Sequence, residues 1–94
     1  MRTREKGYEY YGITRERLQE IKEICRGESQ ELRRNIILSA YEANPVFGAA
    51  IAYSILNGFA SFIRVAKIMQ IEIDPNDFYA YRRKAVALLN EKLN

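Results

Sequence analysis

The chain predicts an all-α fold of about five helices. Apolar residues recur at three- and four-residue spacing. Capping residues, glycine and proline punctuate the chain where each periodic run begins or ends. No segment alternates with the period of a strand, and no internal repeat or low-complexity run is present. Ninety-four residues suffice for one domain with one modest core. The organisation expected is a flexible arm over residues 1–12 and a single helical domain over 13–94. Within that domain, residues 45–93 read as a trihelical helix-turn-helix unit with two N-terminal helices packed on it.

The elements follow in order. Tyr8, Tyr10 and Tyr11 close the arm and are expected to pin it to the bundle. Thr14 is an N-cap, and Leu18, Ile21, Ile24 and Cys25 follow at helical spacing up to Gly27. Ser29 caps a second helix that runs to about Ala43, with Leu32, Ile36, Ala40 and Ala43 on one stripe and Arg33 and Arg34 off it. Asn44-Pro45 sets an N-cap before a helix-opening proline. The third helix, 46–56, is apolar on nearly every side and rich in Gly and Ala, which marks it as central. Asn57-Gly58 ends it, and Ser61 starts a fourth helix that buries Phe62, Val65, Ala66 and Met69 and exposes Arg64 and Lys67. Ile71 and Ile73 in the next turn are positioned to plug the core. Asp74, Pro75 and Asp77 then open the last helix with a cap, a pre-set first position and negative charge in the first turn. Its apolar stripe is Phe78, Tyr81, Ala85, Leu88 and Leu89; Asn76, Tyr79, Ala80, Arg83 and Ala87 lie opposite.

Composition narrows the function classes. With no histidine, the usual zinc sites and His-based acid–base catalysis are ruled out. Cys25 sits on an apolar stripe with no base to activate it, and the five glycines are too scattered for a phosphate loop. Glu72, Asp74 and Asp77 lack calcium-loop spacing. An enzyme, a metal and a cofactor are therefore not expected. The single cysteine and the charged N-terminus fit a reducing cytoplasm. The uncharged stretch 44–63 approaches membrane-span length, but Pro45 and Asn57-Gly58 would break it in lipid, so a buried helix and its turn are expected instead.

The net charge of +3 permits nucleic-acid binding without requiring it. The sharpest candidate is the outer face of the last helix. Asn76 and Arg83 can pair with base edges, and Tyr79 can touch a phosphate or a thymine methyl. Arg82 and Lys84 would flank the phosphate backbone, as would Arg64 and Lys67 on the helix before. The alternative is a solvated face that merely needs polar residues, and Asp77 would repel phosphate. Arg2, Arg4 and Lys6 are of the kind that enters minor grooves, or they belong to a plain flexible terminus.

The run Ala43-Asn44-Pro45, a hydrophobic helix, Asn57-Gly58, a helix with Ala66, then Asp77-Phe78-Tyr79 and Tyr81-Arg82-Arg83-Lys84 resembles small prophage proteins of Gram-positive bacteria. These look like late-gene transcription regulators with a sigma-region-4-like helix-turn-helix. Gln70 stands where that motif usually has glycine. The resemblance covers roughly residues 43–90 and implies double-stranded DNA as partner, read by the helix that carries Asn76 to Lys84. A single reading helix has limited affinity, so a homodimer or RNA polymerase is expected as a further partner. The rival reading is a protein-interaction or phage assembly module that binds no nucleic acid, using exposed apolar residues of the segment 46–62.

Overall fold

The computed structural model describes residues 2–93. The outer limits of the predicted arm and domain, Met1 and Asn94, lie outside the described residues. Among those residues the chain is all-helical: two short 3-10 turns, η1 (Thr3–Glu5) and η2 (Tyr8–Tyr11), then α1 (Arg15–Ile24), α2 (Gln30–Ala43), α3 (Gly48–Leu56), α4 (Phe62–Met69) and α5 (Pro75–Leu93).

Local chemistry explains the boundaries. Thr14 Oγ1 accepts the Arg17 N–H at 3.0 Å and Ser29 Oγ accepts the Leu32 N–H at 3.0 Å, so α1 and α2 start at their predicted caps. Asn44 Oδ1 accepts from the N–H groups of Val46 and Phe47, but this closes a turn, and α3 begins only at Gly48. Gly48 is required there. A Cβ at that position would lie 2.6 Å from the Tyr41 ring and 2.9 Å from the Tyr41 backbone, so its absence lets α3 approach α2. Gly58 (φ 73°) and Phe59 (φ 58°) turn the chain sharply between α3 and α4. Ser54 fastens that corner: its hydroxyl donates to the Ala60 carbonyl at 2.7 Å, and its own carbonyl accepts the Ala60 N–H. Gln70 takes the left-handed conformation (φ 52°) that ends α4, so a non-glycine residue fills the position where glycine is usual. Asp74 Oδ1 accepts the Asn76 N–H at 2.8 Å and α5 starts at Pro75.

The core is one cluster that includes Ile21, Ile36, Ile51, Ile55, Val65, Phe78, Val86 and Leu89, all essentially without solvent contact. α5 is its axis. It packs most extensively on α2, and also against α3, α4 and both 3-10 turns. α3 lies against α2, α4 and α5, as its small, apolar sequence anticipates. α1 reaches the far end of α5, where Arg17 Nε donates to Asn90 Oδ1 at 2.7 Å.

Two expectations change. The segment read as a free arm is folded onto α5. Tyr8 and Tyr11 pack on the core as expected, while Tyr10 stands outside, edge-on to Tyr11 at 5.2 Å. Consequently the side of α5 read as outer is covered in part: Ala80 is 1% exposed and Tyr79 and Arg83 are half-buried, while Asn76 stays exposed. Periodicity within α5 records neighbours that bury large apolar side chains. It does not record a polar strap laid over Ala80.

Candidate functional site

The residues singled out for nucleic-acid contact divide into two groups. Asn76, at the first turn of α5, and Arg64 and Lys67 on α4 are exposed; Lys84 is half-buried. Tyr79, Arg82 and Arg83 are occupied within the molecule.

Arg82 is the hub of that second group. Its Nη1 donates to Ser54 Oγ at 3.1 Å and lies within 3.2 Å and 3.4 Å of the Ala60 and Phe59 carbonyl oxygens. Its guanidinium lies over the rings of Tyr79 (4.8 Å) and Phe59 (5.2 Å). Burial pulls its pKa below the ordinary arginine value, and the nearby Tyr8 and Tyr79 oppose that shift. Tyr8 answers in kind: burial raises its phenol pKa, against the pull of Arg82 and Arg83. The buried Nε of Arg82 makes no hydrogen bond. Tyr79 accepts the Phe62 N–H on its hydroxyl at 2.9 Å, which satisfies one of the free donors at the start of α4. Together these contacts tie α5 to the α3–α4 corner.

Arg83 holds the strap. Its Nε donates to the Lys6 carbonyl at 2.9 Å and its Nη2 to the Arg4 carbonyl at 3.3 Å. Arg4 returns across the start of α5, pairing with Asp74 at 3.1 Å and Asp77 at 2.9 Å. The basic arm residue therefore meets the acidic first turn of α5, whose carboxylates also suit the helix N-terminus. Arg4, Glu5, Asn76, Tyr79 and Arg83 line a shallow depression where the strap crosses the helix.

Elsewhere, burial pushes the Cys25 thiol up to about 11, so it is protonated at neutral pH. No cluster of three or more metal-ligating His, Cys, Asp or Glu side chains occurs among the described residues. No helix among them is long and apolar enough to cross a membrane.

Two apolar surfaces lie outside the sites expected from the sequence: Ile63 and Ile68 stand exposed on α4, and a larger patch lies on α2. The outer side of α2 carries Ile37, Leu38 and Tyr41, all exposed, next to Arg33 and Arg34. The signal was present in the run Ile36-Ile37-Leu38. At about 100° per residue, three consecutive apolar side chains cannot all face one core. Ile36 takes the buried direction, and its two successors do not. The exposed apolar residues expected within 46–62 reduce to Val46; the rest of that segment is buried or half-buried apart from Ala49 and the polar corner residues.

Comparison with known proteins finds no matching family model, no similar curated protein and no similar solved structure.

Proposed function

We propose that the chain is a small helical protein-association module that works through the outer face of α2. The observation that carries this reading is a contrast between two surfaces. Ile37, Leu38 and Tyr41 stand in solvent side by side, although core positions and solvent positions are otherwise well separated on α2. The arginines a groove reader would present are instead spent on Ser54 and on backbone carbonyls. An arginine engaged in this way must break its internal hydrogen bonds before it can read a base, and that cost weakens every DNA contact it makes.

A second reading, the phage-type DNA-binding regulator, draws support from how the strap is held. Residues 2–6 are fastened to α5 by the Arg4 ion pairs and the Arg83 hydrogen bonds, with all the ion-pair side chains more than a third exposed. Exposed pairs of this kind contribute about 0–1 kcal/mol each. A polyanion could displace the strap and free Arg83 beside Asn76 and Tyr79, with Lys84 on the same helix and Arg64 and Lys67 on α4 as further cations.

Titration into random duplex DNA at ~50 and ~200 mM salt separates the two readings. The association reading expects no more than the weak, sequence-independent binding typical of a mildly basic surface, unchanged by Arg83→Ala. Submicromolar binding that falls steeply with salt and is lost in Arg83→Ala overturns it in favour of the regulator.

A further inference from the structure

The partner of the α2 face is, we infer, a second copy of this chain, paired antiparallel through α2 about a two-fold axis that passes between Ile37 and Leu38. This inference rests on the association reading and names its partner. Ile37, Leu38 and Tyr41 are 39%, 48% and 45% exposed, and Arg34 is exposed with them. At 3.6 residues per turn, these four side chains fall within an arc of about 100° on the side of α2 away from Leu32, Ile36 and Ala40.

Their order along the helix is symmetric. Ile37 and Leu38 straddle the midpoint, while Arg34 and Tyr41 lie about 5 Å to either side of it. A two-fold antiparallel partner therefore brings Ile37 and Leu38 against their own copies. It also sets each Arg34 opposite the partner's Tyr41, with the partner's Glu42 next along. This is a self-complementary patch of the kind an isologous dimer requires. A guanidinium over a tyrosine ring is favourable, and more so once water is excluded. A parallel pairing would instead oppose Arg34 to Arg34. Of the cations, only Arg34 lies on this face: Arg33 falls on one flank of the seam and Glu42 on the other, half a turn away, so the pairing rests on Arg34 and leaves Arg33 outside it. The remaining charges on this helix are Glu31, at the rim, and Glu42 itself, which is held by Lys92 at 2.7 Å. That bridge offsets the repulsion between Glu42 and the partner's Glu31.

Tyr41 is also suited to be an anchor. Its ring lies against Gly48, so it does not need to be ordered on binding. Arg34, Ile37 and Leu38 also line a shallow depression with Gln30 and Arg33.

Sedimentation equilibrium on the full chain tests the pairing. The weight-average mass should rise with concentration from 11.0 kDa toward twice that value. Leu38→Glu, a change at an exposed helical position, should weaken dimerisation at least ~tenfold with an unchanged helical circular-dichroism spectrum. Arg34→Glu should also weaken it, and adding Glu42→Arg together with Lys92→Glu, which keeps position 42 paired within its own chain, should recover most of the loss, because the reversed pair again faces across the axis. A wild-type mass that stays at 11.0 kDa up to ~1 mM overturns the second-copy proposal. So does a dimer indifferent to Leu38→Glu. A triple variant no better than Arg34→Glu alone overturns the antiparallel register. The duplex titration keeps the two failures apart. A monomer that ignores DNA rejects only the self-pairing, whereas a monomer that binds duplex with a steep salt dependence rejects the association reading as well.

Discussion

Replacing Arg82 with methionine distinguishes a structural arginine from a DNA-reading one. Methionine keeps much of the aliphatic stem and removes the guanidinium that lies over Tyr79 and Phe59. The loss comprises the hydrogen bond to Ser54 Oγ, the contacts to the Phe59 and Ala60 carbonyls, and two ring contacts. Hydrogen bonds from a charged donor contribute about 1.5–3 kcal/mol, and a partly buried cation–π contact about 1 kcal/mol more. Two effects offset this. The Ala60 carbonyl keeps its bond from the Ser54 hydroxyl, and the cost of holding a half-buried charge disappears with the guanidinium. The net expectation is a destabilisation of about 2 kcal/mol. With a urea m value of about 1.5 kcal/mol/M, the unfolding midpoint followed by circular dichroism should fall by ~1.3 M. Lys67→Met, at an exposed position of α4, is the control and should shift stability by no more than ~0.5 kcal/mol. A midpoint for Arg82→Met within ~0.3 M of wild type would mean that the hub at the α3–α4 corner contributes little, and would return Arg82 to the list of available DNA contacts.

Two further outcomes follow from the packing. Gly48→Ala should cost about 1–3 kcal/mol in the same urea assay despite the better helix propensity of alanine, because the new methyl meets Tyr41 at 2.6–2.9 Å; a stabilised variant would show that α2 and α3 separate freely there. Alkaline stability should respond to Cys25, whose thiol is raised from 9.0 to about 11 by burial. Because the unfolded thiol ionises first, its contribution is intact below pH 9.0 and is lost as pH rises through about 11, at most about 2–3 kcal/mol. Urea midpoints measured across that range should fall less for Cys25→Ala than for wild type, and parallel curves would contradict the burial.

Local signals carried most of the secondary structure. Thr14, Ser29 and Ser61 cap the helices they were expected to cap, and Pro75 opens α5, because capping depends on a few adjacent backbone groups. Two boundaries depend on more than residue type. α3 starts at Gly48 rather than 46, since Asn44 satisfies its hydrogen bonds in a turn and close packing against Tyr41 selects the glycine as the first helical residue. Gln70 holds a left-handed conformation that its own type does not advertise.

The candidate site was legible only as chemistry. Arg82, Arg83 and Tyr79 were recognisable as polar side chains on the last helix, but whether they face water depends on residues 77 or 79 positions away and on a corner more than 20 residues upstream. By itself the order of residues determined the helical class, the caps, the apolar centre of α3 and the absence of histidine chemistry, all of which depend on residue type and short-range spacing. Tertiary structure alone decided that the strap covers α5 and that Arg82 serves the α3–α4 corner. Burial is a property of what arrives from elsewhere in the chain, and helical periodicity cannot say which of two amphipathic sides will find a neighbour.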